Sequence, residues 1–251
     1  MTAVRQSLLA EYLGSALLTA LVIGSGIAAQ RLSPNDVGLE LVENAAATAA
    51  GLYAIILMFG PASGGHFNPV VSLADASFGG ISWRTALAYI PAQIAGCISG
   101  ALLANAMFAI GAASISTHHR ASPAHLVGEV VATTGLIVLI FALARTRRAT
   151  ATPAAVGAYI GAAYWFTSST SFANPAISVG RIFSDTFAGI APASVPAFVI
   201  AQLLGGLAAV AIVRTLYPGV TPADAAQVIL PHDSDGRMRL ARPASEEPSL
   251  P

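Results

Sequence analysis

Two Asn-Pro pairs, Asn68-Pro69 and Asn174-Pro175, and two acidic residues set in long apolar runs, Glu11 and Glu129, are the residues of this chain best suited to chemistry. Proline has no N–H and a fixed φ, so it fits the first turn of a helix. An asparagine ahead of it caps that helix with its side-chain oxygen and leaves its amide NH2 group to act as a donor. Two such helices entering from opposite faces of a membrane would meet at their positive ends. Between them would lie a narrow site with two amide donors, suited to a neutral solute with a lone pair and hostile to a cation. One Asn-Pro pair alone would more often be an ordinary cap in a loop; the reading rests on there being two, in corresponding places.

The elements that must position these residues are apolar helices. The chain has 251 residues, of which 55% are hydrophobic and 10% charged, and its mean hydropathy is +0.70. A soluble domain carries about a quarter charged residues, so the expected solvent is the lipid bilayer. The net charge of zero gives no footing for nucleic acid or an acidic partner. A single cysteine, Cys97, excludes an internal disulfide and a thiolate metal cluster. Six stretches are long enough to span: about Leu8 to Ala29, Leu39 to Phe59, Thr85 to Ile110, Ala124 to Leu143, Pro153 to Thr170 and Val195 to Leu216. The first is read as a retained membrane helix, not a cleaved signal peptide. Two shorter, more polar segments, Ser63 to Ala76 and Ser171 to Asp185, hold the Asn-Pro pairs and read as re-entrant pieces.

All twelve basic residues are arginines. With the N-terminus inside, the cytoplasmic side receives Arg5, Arg84, Arg145, Arg147, Arg148, Arg214, Arg237, Arg239 and Arg242, and the outside receives Arg31, Arg120 and Arg181. That bias places both ends in the cytoplasm. Residues 218–251, rich in Pro, Ala, Asp and Arg, are expected to form a disordered cytoplasmic tail after a channel domain of residues 1–217.

An internal repeat organises that domain, with copies at about 7–110 and 124–216. Glu11, Asn68-Pro69-Val70 and Ala92-Gln93-Ile94-Ala95-Gly96 recur in the same order as Glu129, Asn174-Pro175-Ala176 and Ala201-Gln202-Leu203-Leu204-Gly205. Three spans per copy make the two halves face opposite ways, an inverted repeat. The fold class that follows is an all-α membrane protein with six spans and two re-entrant half-helices. Glu11 and Glu129 would each accept hydrogen bonds from the re-entrant backbone of their own half, with Gln93 and Gln202 in the same supporting role; a proton relay is the competing reading.

Over nearly its whole length except the tail, the chain resembles the aquaporin or major intrinsic protein family. The resemblance rests on Ser63-Gly64-Gly65-His66-Phe67-Asn68-Pro69-Val70, on Phe172-Ala173-Asn174-Pro175-Ala176, and on Glu11, Glu129, Gln93 and Gln202. It implies a passive channel, a homotetramer with one pore per subunit, and a second constriction of four side chains nearer the outside. Counted from the motifs without gaps, those four are Thr48, Ala162, Ser171 and Ile177. The family normally has arginine where this chain has Ile177. Four small or medium uncharged residues imply a wide, weakly polar filter passing water, glycerol, urea or neutral metalloid acids. The Ser184 to Ile190 stretch is similar to the bacterial branch associated with arsenic resistance, which points more sharply to arsenite or methylated arsenicals.

Arg181 lies four residues after Ile177, on the same helix face one turn outward. It is expected either to supply a displaced positive charge in the outer vestibule or to pair with Asp185. His66 lies on the cytoplasmic approach, as a pore-lining, pH-responsive group or a hydrogen-bonded scaffold. Adjacent His118 and His119 are weak evidence for a metal, and no metal or cofactor is expected. The alternatives are a strict water channel or an ion-coupled secondary transporter, which would need ionisable coupling groups at mid-depth. No zinc spacing or nucleophile–base pair suggests an enzyme.

Overall fold

Proline, glycine and short polar residues punctuate the apolar runs and set where each helix begins and ends. The structure is a computed structural model, and it describes residues 3–111, 113–146, 148–219, 221–225 and 229. Helix α1 spans Ala3–Leu32 and α2 spans Val37–Ser63, the latter capped by the Asp36 carboxylate on the Leu39 N–H and closed by left-handed Gly64. The first half-helix, α3, spans Pro69–Phe78, and α4 spans Trp83–Met107 behind the Ser82 cap. In the second half, α5 spans Pro123–Arg145, α6 spans Thr152–Phe166, the half-helix α7 spans Pro175–Gly180, and α8 spans Val195–Leu216. A 3-10 turn, Arg181–Phe183, continues α7.

Among the described residues, five helices are long and apolar enough to cross a membrane: α1, α2, α4, α5 and α8. The expected fifth span is shorter than the sequence suggests. Helix α6 has 15 residues, roughly 22 Å of rise, because Thr167 to Thr170 already belong to the re-entrant loop, and Thr170 is left-handed at φ 59°. The helix order repeats as span, span, half-helix, span, and so do the contacts. Helix α1 packs on α2 and α4 as α5 packs on α6 and α8; α2 meets α6 across the two halves, α3 meets α7, and each half-helix also rests on the last span of the opposite half.

The glycine of each Ala-Gln-x-x-Gly motif stands at a close helix crossing. A Cβ on Gly96 would sit 2.2 Å from the Tyr12 carbonyl oxygen, and one on Gly205 would sit 2.7 Å from that of Val130. Tyr12 follows Glu11 and Val130 follows Glu129, so each glycine lets its helix close on the turn carrying the acidic residue. Large apolar side chains on the outer surface, including Leu9, Leu13, Leu17, Leu204 and Leu207, are exposed, as suits lipid contact.

A few residues of the expected tail are described. Residues Pro222–Ala225 form a short helix, α9, resting on α3 and α5, and Ala225 and Ile229 are buried. The remainder of the predicted tail, residues 230–251 with Arg237, Arg239 and Arg242, lies outside the described residues, as does Arg147.

Candidate functional site

Both re-entrant loops turn through the same unusual backbone. In the first, Gly64, Gly65 and Phe67 have φ of 90°, 74° and 48°; in the second, Thr170, Ser171 and Ala173 have φ of 59°, 50° and 48°. The left-handed turns bring the chain to an extended asparagine, which starts the half-helix. The Asn68 Oδ1 accepts from the Val70 N–H at 2.9 Å, and the Asn174 Oδ1 accepts from the N–H groups of Ala176 and Ile177 at 3.0 and 3.3 Å. Pro69 and Pro175 occupy the first turns, and Val70 and Ala176 are buried behind them.

The two loops are tied to one another by the caps themselves. Asn68 Nδ2 donates to the Ala173 carbonyl at 2.7 Å, and Asn174 Nδ2 donates to the Phe67 carbonyl at 2.8 Å. Each amide has a second N–H, and both asparagines line the same cavity. The half-helices therefore meet with their N-terminal ends together, and their fields add in favour of negative rather than positive charge at the meeting point.

Glu11 and Glu129 hold these loops in place. The Glu11 carboxylate accepts from the His66 N–H at 3.0 Å, the Phe67 N–H at 2.7 Å, Ser63 Oγ at 2.6 Å and Gln93 Nε2 at 2.7 Å. Glu129 accepts from the Phe172 N–H at 2.8 Å, the Ala173 N–H at 2.9 Å and Gln202 Nε2 at 2.5 Å. Each glutamine also donates to a serine four residues after its asparagine, Ser72 at 3.0 Å and Ser178 at 2.9 Å. Those serines in turn donate to the Asn68 and Asn174 carbonyls. Ser63 and Ser169, five residues before each asparagine, accept from the N–H groups of Gly65 and Ser171. The serines escaped sequence reasoning, although they recur at matching offsets from the two Asn-Pro pairs. Both carboxylates are wholly buried, and each is met by these donors.

A narrow cavity runs past the paired asparagines. Thr48, Tyr164 and Arg181 lie at one end, and Ile56, Gly65 and Ile229 lie at the other. Its wall is largely apolar and comes from stripes at four-residue spacing, Thr48–Leu52–Ile56 on α2 and Val156–Ile160–Tyr164 on α6. That spacing corrects one expected filter residue. Ala162 falls two residues off the α6 stripe, about 200° round the helix, and is exposed on the outside of the bundle. Tyr164 takes the wall position instead, with its Oη 3.2 Å from Thr48 Oγ1. Thr48, Ser171 and Ile177 line the cavity.

Arg181 also lines the cavity and is buried. Its guanidinium lies 3.5 Å from the Phe172 ring centroid, and its Nε donates to the Ala188 carbonyl. The expected alternative, a pair with Asp185, is not formed. Asp185 accepts from the Thr117 N–H at 2.8 Å and lies 3.7 Å from His118 Nε2, and the Thr117 N–H holds its carboxyl below the usual range. Arg120 donates to the carbonyls of Gly189 and Phe187, both at 2.7 Å. The Ser184 to Ile190 stretch is thus a row of carbonyls that seats two arginines around Phe172.

His66 lines the cavity beside Gly65. Its Nδ1 is 3.0 Å from Ser72 Oγ and its Nε2 is 3.3 Å from Asp75 Oδ2. Among the described residues, no group of three or more His, Cys, Asp or Glu side chains could hold a metal.

The profile described as major intrinsic protein matches residues 1–180. The chain is 48% identical over 213 residues to the aquaglyceroporin AqpS of Rhizobium meliloti (strain 1021), covering 85% of this chain and 91% of that protein. It is 34% identical over 167 residues to a probable TIP-type aquaporin of Antirrhinum majus, covering 61% of this chain and 64% of the relative. The X-ray structure of the aquaglyceroporin from Plasmodium falciparum superposes with a TM-score of 0.69 at 17% identity, covering 86% of this chain and 98% of that one; at that identity the likeness is one of fold.

Proposed function

The chain belongs to the major intrinsic protein family, and from that premise we propose that it is a passive channel carrying water, glycerol and other small uncharged solutes such as urea across a cell membrane. The observation that carries this reading is the reciprocal tether of Asn68 and Asn174, each amide on the other loop's carbonyl, beside a cavity both residues line. A neutral hydroxylated solute can accept from the remaining amide N–H groups in single file, while the apolar stripes offer it no competing site. A cation would lose its hydration shell there and face two helix N-termini. An ion-coupled transporter is disfavoured because the buried carboxylates of Glu11 and Glu129 are committed to loop donors and the buried Asp75 lies 3.3 Å from His66 Nε2.

In this reading the outer filter consists of Thr48, Tyr164, Ser171, Ile177 and Arg181. Arg181 supplies, one turn beyond Ile177, the charge that the family normally places at the Ile177 position. A cation passing about 6 Å from that guanidinium, at an effective dielectric constant of about 20, meets about 3 kcal/mol of repulsion. Isoleucine in place of arginine leaves room for solutes larger than water. The likeness to an aquaglyceroporin over most of both chains supports glycerol, and arsenous acid or methylated arsenicals are the sharper substrate proposal. The bias of the arginines supports both ends lying in the cytoplasm, and the exposed apolar outer surface supports packing against lipid and further subunits in a homotetramer.

Stopped-flow light scattering on proteoliposomes given water, glycerol, urea and arsenite gradients tests the proposal. Glycerol entry no faster than in empty vesicles, in the wild type and in a variant with the cavity-lining Ile229 cut to alanine alike, would overturn it. Arg181→Ala should raise cation leak while preserving glycerol flux; unchanged ion permeability would remove Arg181 from the filter.

A further inference from the structure

The end of the cavity opposite Arg181 holds a side chain from beyond the last span. Ile229 is 2% exposed, lines the cavity together with Ile56, Gly65 and His66, and brings its Cγ2 within 3.5 Å of where a Cβ on Gly65 would stand. Its backbone is left-handed, at φ 56°. For a β-branched residue that conformation is strained and persists only where the surroundings impose it.

The segment before it is seated on the rim. Pro222 packs on left-handed Gly79, where a Cβ would come 3.2 Å from the proline ring. The buried Ala225 presses on Gly80, with its carbonyl carbon 2.8 Å from the Cβ position there. Asp224 Oδ2 accepts from the Thr221 N–H at 3.0 Å and from Thr221 Oγ1 at 2.9 Å. The same carboxylate lies 4.0 Å from Arg145 at the end of α5, in a partly exposed pair. Helix α9 is thus attached to α3 and α5, and the single apolar residue described beyond it reaches into the passage.

We propose that Ile229 is a stopper in the inner mouth of the channel and that α9 is its latch, so that this structure is a closed state. The stopper rests on the channel reading above. An isoleucine fills the gap at Gly65, where the wall has no side chain of its own, and offers a hydroxylated solute nothing to bind. Release requires only that α9 lift from the Gly79–Gly80 turn. The Arg145–Asp224 pair, long and solvent-accessible, contributes little to its hold there.

The test is water and glycerol flux through the full-length chain in proteoliposomes, comparing wild type with Ile229→Ala, Ile229→Trp and Asp224→Ala. Burial of an isoleucine side chain biases docked over undocked states by roughly tenfold or more. Ile229→Ala should therefore raise both permeabilities several-fold, Ile229→Trp should lower them, and Asp224→Ala, which removes the Thr221 contacts and the Arg145 pair, should raise them by a smaller factor. Asp224→Ala loosens the latch without altering a cavity wall residue, so it serves even if a substitution at Ile229 destabilises the fold. Wild type and all variants conducting equally, above empty vesicles, would overturn the stopper and leave the channel standing. Slower flux in Ile229→Ala than in wild type would also overturn it. All proteins matching empty vesicles would remove the channel reading, and the stopper with it.

Discussion

Replacing Glu129 with glutamine should loosen the second re-entrant loop and close the channel. The carboxylate accepts from two backbone N–H groups, Phe172 and Ala173, and from Gln202. An amide at that place keeps one acceptor oxygen and turns an NH2 group toward the other donors. One buried N–H is then orphaned, costing about 1–3 kcal/mol, and the surviving bonds fall from charge-assisted to neutral strength, about 1 kcal/mol each. Side-chain hydrogen bonds within membranes average nearer 0.6 kcal/mol, because the unfolded chain also finds partners there. The expected loss is therefore about 2–5 kcal/mol. Denaturation by sodium dodecyl sulfate in mixed micelles reads the stability, and vesicle flux reads the pore. Glu129→Asp, which keeps the charge but shortens the reach, should lie between. Stability within about 0.5 kcal/mol of wild type, the range of an ordinary surface change, together with unchanged flux, would refute the brace. Intact stability with altered pH dependence of flux would favour a proton relay instead.

Three further outcomes follow from the geometry. Tyr164→Ala should raise glycerol flux relative to water, while Ala162→Val on the outer face should leave that ratio unchanged; equal ratios in both variants would put Tyr164 outside the filter. Ser171→Cys should create a channel blocked by mercuric ion and restored by thiol, whereas wild type stays insensitive because Cys97 is buried between α1 and α7; mercury block of the wild type would contradict this. Gly96→Ala should destabilise the protein by about 1–3 kcal/mol or more, since its Cβ would meet a backbone oxygen. Gly111→Ala, with open space around it, should change stability by no more than about 0.5 kcal/mol in the same denaturation assay.

The order of elements, the inverted repeat, the Asn-Pro caps and the glutamate braces were legible in the residues, because each depends on local chemistry repeated at fixed intervals. Proline after asparagine specifies a capped helix start wherever it lies, and an acidic residue inside an apolar run demands partners. The brace serines were legible in principle, since Ser72 and Ser178 stand at one offset from their asparagines and Ser63 and Ser169 at another. The filter was only partly so. In a soluble helix, polarity marks the outward face. Helix α6 is apolar all round, because lipid and the channel wall ask for similar side chains, so nothing in its composition separates Tyr164 from Ala162.

The chain alone thus determined that two half-helices exist, which residues cap them and which carboxylates hold them, because those are interactions between a residue type and a nearby backbone. The rotation of α6 that brings Tyr164 to Thr48, the carbonyl row that turns Arg181 onto Phe172 and away from Asp185, and the burial of Ile229 against Gly65 were decided only by tertiary packing. Each depends on which surfaces meet across the bundle, and an apolar sequence written for two apolar environments does not encode that choice locally.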